Sequence, residues 1–233
     1  MIPWLERGQP FPPVERALES PNGLLCAGEE LSPERILEAY RQGIFPWYSE
    51  GDPVLWWSPD PRMVLIPDEL KVSRSLAKAV KRPAFETRVD TAFTRVMSEC
   101  AAPRDGQSGT WIVPEMVAAY TELHRRGFAH SVESWQEGEL VGGLYGLWLG
   151  KAFFGESMFS RATDASKVAL VKLVAIVKAK GARVIDCQQA TRHLGTLGAR
   201  PIPRTAFSQL LQDSIQCAPS GESWADALSH GQT

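Results

Sequence analysis

Cysteine is scarce in this chain. Cys26, Cys100, Cys187 and Cys217 are the only four in 233 residues. They form no CxxC pair, and no histidine stands at a zinc-ligand spacing, which removes a structural zinc site and a disulfide scaffold. A basic excess is also missing. With 25 Lys and Arg against 27 Asp and Glu, the chain does not coat nucleic acid by bulk charge, so any RNA contact comes from a local patch. The first residues, MIPWLERGQPFPP, hold no apolar run after a basic start, and no stretch of about 18 uncharged apolar residues occurs anywhere. Neither a signal peptide nor a membrane helix is therefore expected, and the chain reads as soluble and cytoplasmic. What is abundant is apolar material: 44% hydrophobic content suffices for a sizeable core at this length and excludes an unfolded chain.

The composition shifts along the chain. Residues 1–62 are dense in proline, glycine and tryptophan, and one helix is legible there, with Ser32 as N-cap, Pro33 at the first helical position and Gly43 past the end. Around it, Phe45-Pro46-Trp47-Tyr48 and LWWSPDPR from Leu55 alternate aromatics with prolines that interrupt regular ladders. These residues are expected to form a small N-terminal domain of compact irregular chain. From Met63 ordinary periods return. A helix begins near Ser73 and is stopped by Pro83; a second begins near Asp90 with Phe93, Val96, Met97 and Cys100 on one stripe; a third covers about 114–127. Strand patterns at 130–135, 140–147 and 152–159, with turn residues between them, predict an antiparallel meander. A long helix over 165–180, a strand over 184–188, a helix over 205–215 and a loose tail after Ala218 complete an α+β domain over 63–233.

Four groups of residues could carry chemistry. In RVIDCQ, β alternation puts Val184, Asp186 and Gln188 on one face, with alternate positions about 7 Å apart. The Asp186 carboxylate is then expected to accept from the Gln188 amide nitrogen, which turns the amide oxygen toward an incoming amine; a polar strand end meeting water is the other reading. In FFGESMF, Glu156 sits in an apolar strand, where a carboxylate is costly unless it has a partner or a task, and Gly155 permits close approach of a ligand. An edge strand with Glu156 in solvent fits the same letters. Ser157 lacks a nucleophile elbow and does not read as a hydrolase nucleophile. Finally Arg74, Lys78, Lys81 and Arg82 share a helix face, which suits either an RNA backbone or plain solvent. Tryptophans at 47, 56, 57 and 111 offer stacking platforms, with two of the four expected in the core.

Together these segments resemble the leucyl/phenylalanyl-tRNA-protein transferase family. The resemblance runs through PNGLLCAGEELSPERILEAYRQGIFPW, LWWSPDPR, GTWI, GFAHSVESW, ELVGGLYG, GESMFS, ASKVAL and IDCQ, in that order over nearly the whole chain. Leu144, Thr196 and Thr191 depart from the family pattern, which expects methionine, serine and asparagine there. The resemblance implies an acetyltransferase-like (GNAT-like) second domain with a mixed, largely antiparallel sheet flanked by helices. It also implies transfer of Leu or Phe, less well Met, from leucyl-tRNA or phenylalanyl-tRNA to proteins with N-terminal Arg or Lys, which are thereby marked for degradation. By resemblance Asp186 and Gln188 are the catalytic pair, with Glu156 beside them.

On that reading Leu144, Phe153 and Ile185 form the amino-acid pocket with Ser157 at its rim. Trp47 and Trp111 hold the 3′ adenosine, and Arg74, Lys78, Lys81 and Arg82 hold the acceptor stem. No metal, nucleotide cofactor or covalent intermediate is implied, since the ester already stores the energy, and a monomer is expected. Two rivals stand beside this reading. An acetyl-CoA-dependent N-acetyltransferase would need a Q/R-x-x-G-x-G/A loop, but residues 157–163 read SMFSRAT and lack both glycines. A non-catalytic RNA-binding protein would use only the basic face and the aromatics.

Overall fold

The computed structural model describes residues 2–82, 84–102, 111–217 and 223–230. Its first sheet has strands β1 (Trp4–Leu5), β2 (Leu24–Gly28), β3 (Phe45–Pro46) and β4 (Val54–Trp57) in the order β1-β2-β4-β3. This corrects the expectation of irregular chain. The prolines do not prevent a ladder because they lie at its margins: Pro46 sits in a two-residue edge strand, where a missing N–H costs little, while Trp56 and Trp57 pair on both sides. Helix α1 (Pro33–Arg41) starts as the sequence dictates, with Ser32 Oγ accepting from Arg35 N at 3.2 Å. It ends before Gly43, whose φ of +74° is one that glycine adopts without strain.

Next come β5 (Arg62–Leu65), α2 (Arg74–Val80), β6 (Glu86–Val89), α3 (Phe93–Ala101) and α4 (Pro114–Arg125). Helix α2 closes at Val80; Pro83, its expected stop, and Gly109 and Thr110 of GTWI lie outside the described residues. Helix α3 buries the stripe Phe93, Val96, Met97 and Cys100. Its cap comes from another strand: Glu133, fully buried, accepts from the backbone N–H of Thr91 and Ala92 and from the side chains of Ser131, Trp135 and Thr91. A carboxylate at a helix N-terminus satisfies orphan amides and complements the dipole.

The meander is β7 (Ala129–Gln136), β8 (Glu139–Leu149) and β9 (Ala152–Ser160). Helix α5 (Ala165–Ala179), β10 (Val184–Gln188), α6 (Arg192–Thr196), β11 (Arg200–Ile202), α7 (Arg204–Ile215) and α8 (Trp224–His230) complete the chain. The larger sheet runs β11-β5-β10-β9-β8-β7-β6. Only β9 and β10 pair in parallel, so it is the mixed, largely antiparallel GNAT-like sheet flanked by helices that the sequence led us to expect. One face buries Leu170, Leu173, Val174 and Val177 of α5 against Leu144, Phe153 and Ile185; the other packs α1, α3, α4 and the small sheet around Tyr40, Tyr120, Tyr145 and Phe154. Within the tail, where composition suggests loose chain, residues 224–230 form a helix. Trp224 of α8 is buried, stacked on His130 at 4.0 Å and edge-on to Trp148. Among the described residues no helix is long and apolar enough to cross a membrane.

Candidate active site

Strands β9 and β10 pair regularly only from Val184↔Ala152 to Asp186↔Phe154. Just beyond, each strand bulges. On β9 the register with β8 passes from Gly146↔Gly155 to Tyr145↔Ser157, leaving Glu156 as the extra residue. On β10 the register with β5 passes from Asp186↔Val64 to Gln188↔Met63, leaving Cys187 over, and Gln188 takes a left-handed φ of +58°. A bulge bends its strand and re-aims a side chain. Here two bulges on neighbouring strands bring Glu156 and Gln188 to one point, with Gln188 Nε2 donating to Glu156 Oε1 at 3.0 Å. Gly146 makes the β9 bulge possible, since a Cβ there would stand 2.1 Å from the Phe154 carbonyl oxygen.

Asp186 does something other than the alternation implied. Its carboxylate is completely buried and takes both oxygens to Arg62, from Nε at 2.8 Å and Nη2 at 2.7 Å. It also accepts from the backbone N–H of Gln188 at 2.9 Å, not from the side-chain amide. The expected Asp186–Gln188 side-chain bond is therefore corrected: the bulge points Gln188 at Glu156 and leaves Asp186 inside with the guanidinium. Arg62 in turn lies between the rings of Phe45 and Phe207, and its Nη1 donates to the Gly43 carbonyl at 3.1 Å. One buried arginine thus ties the small sheet, α7 and β10 together. The sequence reading missed it, although a charged residue closing the apolar, proline-rich LWWSPDPR signals a buried partner elsewhere.

The other residues missed are Tyr40 of α1 and Tyr120 of α4. Tyr40 Oη donates to Glu156 Oε1 at 2.7 Å, and Tyr120 Oη lies at hydrogen-bond distance from Oε2, 3.1 Å. Burial is the largest influence on Glu156 and pushes its carboxyl up to about 7; the nearby Asp186 charge adds to this, while bonds from both tyrosines and Gln188 oppose it. Among the described residues Gln188 Oε1 has no hydrogen-bond partner, and both Glu156 and Gln188 keep partial exposure.

Of the remaining sequence-predicted residues, Leu144, Phe153 and Ile185 share one cluster, with Ile185 directly beside Phe153 across the parallel pair. Ser157 does not join them. It stands opposite Tyr145, whose ring belongs to the other face, and opposed residues share a face. Trp47 is 38% exposed and Trp111 half-buried, with no ring contact between them, whereas Trp56 and Trp57 are core. Arg74, Lys78, Lys81 and Arg82 are all exposed and form no ion pair among the described residues. Lys81 caps α2 and Arg82 lies just beyond it, while Leu76 and Ala79 face inward. A cavity of about 350 Å³ between Trp4, Tyr48 and Glu115 is lined by none of these residues. No group of three metal-binding side chains occurs among the described residues.

Fold and site together give an α+β protein with a mixed, largely antiparallel sheet and a carboxyl–carboxamide pair where two of its strands splay. Comparison with known proteins narrows it. The family model described as leucyl/phenylalanyl-tRNA protein transferase matches residues 64–212, and the model of that family's N-terminal domain matches residues 29–60. The leucyl/phenylalanyl-tRNA–protein transferase of Nitrosomonas eutropha is 63% identical over 91% of this chain and 90% of that one. The protein of the same name from Nitrosospira multiformis is 58% identical over 96% and 97%. Among solved structures, a GCN5-related N-acetyltransferase from Kribbella flavida aligns with a TM-score of 0.35 at 11% identity, over 71% of this chain and 59% of that one, too distant to inform the reaction. The chain belongs to the leucyl/phenylalanyl-tRNA–protein transferase family and is an aminoacyl-tRNA-dependent protein transferase.

Proposed function

We propose that this enzyme moves leucine or phenylalanine, and methionine less well, from the 3′ ester of charged tRNA to the α-amine of proteins that begin with arginine or lysine. The product is marked for degradation. On this reading the enzyme acts in the cytoplasm as a monomer, with a small domain over 1–62 and the catalytic domain over 63–233. The observation that carries the chemistry is the Gln188 carboxamide: its nitrogen is held by Glu156, so its oxygen is turned outward to accept from an amine N–H.

An α-amine with a pKa near 7.7–8.0 is already partly neutral at physiological pH, so aminolysis needs alignment more than a strong base. Gln188 Oε1 would orient the amine lone pair toward the ester carbonyl. The new C–N bond forms as the C–O bond to the ribose 3′ oxygen breaks, and the amine proton passes to that leaving oxygen. Fixing the reactants in this way supplies much of the rate. Asp186 acts as a positioning residue in this scheme, because it holds the Gln188 backbone and does not reach the substrate.

The cluster around Leu144, Phe153 and Ile185 supports an apolar side-chain pocket that favours bulky aliphatic or aromatic residues. Half-exposed Trp47 and Trp111 suit stacking on the terminal adenosine, and the exposed cations on and just after α2 suit the acceptor-stem phosphates. The ester bond stores the energy, so the reaction needs no metal or nucleotide cofactor. The test is to incubate the protein with labelled leucyl-tRNA and peptides beginning with arginine, lysine or methionine. Label is expected on the first two alone. Label on none refutes the proposal.

A further inference from the structure

Three side chains meet beside Gln188. Tyr40 Oη lies 2.8 Å from Tyr120 Oη and 2.7 Å from Glu156 Oε1, and Tyr120 Oη lies 3.1 Å from Glu156 Oε2. Each side of this triangle is a hydrogen-bond distance, and each needs one proton. The two phenols supply two. If Glu156 were ionised, one side would set lone pair against lone pair, whichever way the phenols turned. A proton on Glu156 Oε2 removes the conflict: Oε2–H donates to Tyr120, Tyr120 donates to Tyr40, and Tyr40 donates to Oε1, which still accepts from Gln188 Nε2. Every donor and acceptor of the ring is then used once in a consistent direction.

We propose that Tyr40 and Tyr120 are positioning residues that close a three-proton ring with the buried, uncharged carboxyl of Glu156 while it holds Gln188. The inference rests on the reading of Gln188 as the group that aligns the amine. The surroundings agree from every side. Burial holds both ring phenols well above their ordinary range, so they keep their protons. From β8, Tyr145 adds a neutral buried phenol without a hydrogen-bond partner among the described residues, with the Cys100 thiol of α3 beyond it. From β10, the Asp186 charge opposes ionisation of Glu156, and from β5 Arg62 neutralises Asp186 itself. The wall facing the amine therefore carries no net charge. That matters because a carboxylate at this point would favour the ammonium form of the substrate, which has no lone pair to attack with. The ring gives Gln188 a firm anchor without that penalty.

Infrared difference spectroscopy of the protein between about pH 6 and pH 8.5 tests this. A protonated-carboxyl C=O band is expected at the lower pH, vanishing with a midpoint near 7 and absent in Glu156→Gln, whose amide reproduces the neutral ring. In Tyr120→Phe, which opens the ring, the midpoint should move. In single-turnover transfer, corrected for the neutral-amine fraction, the parent should lose about tenfold per pH unit on the alkaline side, and Glu156→Gln should lose this limb. Absence of the band, an unmoved midpoint in Tyr120→Phe, or a parent-like alkaline limb in Glu156→Gln would each overturn the ring. If Glu156→Gln fails to fold, the parent band and its shift in Tyr120→Phe still decide. Should labelled leucyl-tRNA fail as a donor while the band behaves as expected, the substrate reading falls and the ring stands.

Discussion

Asp186→Ala separates holding the site together from doing chemistry in it. The substitution leaves the Arg62 guanidinium, 1% exposed, without its counter-charge and removes the acceptor of the Gln188 backbone N–H. Removing one partner of a buried ion pair costs about 3–5 kcal/mol. In a domain of this size each kcal/mol lowers the melting temperature by roughly 2–4 °C, so a fall of about 10 °C is expected. Transfer should decline with it, since Gln188 loses the contact that fixes its left-handed backbone. Asp186→Asn keeps the shape and an acceptor and should lie between the two. Thermal melts and transfer assays on both variants, with Arg62→Met and Arg62→Met/Asp186→Leu, complete a double-mutant cycle. The double variant should be more stable than the sum of its singles implies, because no lone charge remains, yet short of the parent, because the Gln188 N–H stays unpaired and the Gly43 carbonyl keeps only the Ser58 hydroxyl. An Asp186→Ala protein that melts within about 2 °C of the parent but cannot transfer would refute the reasoning and return the carboxylate to the reaction itself.

Stability should depend on pH through Glu156. Because its carboxyl is raised from 4.5 to about 7, the fold binds this proton more tightly than the unfolded chain, and the stabilisation, complete below about 4.5, is lost as pH climbs toward 7. Allowing for its partial exposure, that is on the order of 2 kcal/mol; denaturant melts of parent and Glu156→Gln should converge or cross over this window, and parallel curves would exclude it. Gly146→Ala places a Cβ against the Phe154 carbonyl, so expression is expected to fall and transfer to drop at least tenfold through loss of the β9 bulge, measured at a temperature where the variant remains folded. An unchanged protein would mean that β8 and β9 can part there at no cost. Lys78→Ala should weaken tRNA binding and reduce the slope of log affinity against log salt by about 1, while saturating tRNA restores transfer. An unaltered slope would make this helix face mere solvated surface.

The fold was legible wherever one period held over a whole element. The α3 stripe, the three strands of the meander, α5 and the strand Val184–Gln188 follow from hydrophobic spacing because each packs a single face. The N-terminal sheet was hidden by its prolines: edge position, which makes Pro46 tolerable, is a property of the neighbours and not of the local sequence. The ordered helix at Trp224–His230 was hidden as well, since its anchor is one tryptophan against His130 and Trp148, residues more than seventy positions away. In the site, the apolar setting of Glu156 allows either a partnered carboxylate or a solvent-facing edge residue, and its partners are not legible: Tyr40, Tyr120 and Arg62 come from three separate elements and share no spacing with it.

Alternation failed at the place where the site was to be assembled. A strand with period two sends Asp186 and Gln188 the same way, and on that rule the acid touches the amide. A single extra residue breaks the rule, and the structure has one on each of two adjacent strands. The consequence is a division of labour that regular strands would not give. The first carboxylate is withdrawn into the interior, where Arg62 fixes it and it fixes the backbone; the second is brought forward beside the amide, where two tyrosines hold it. Since the arginine also grips the Gly43 carbonyl, the position of Gln188 is coupled to the seating of the small sheet on the large one. Loosening that seam, even by a change that touches neither Glu156 nor Gln188, should reach the reaction through Asp186.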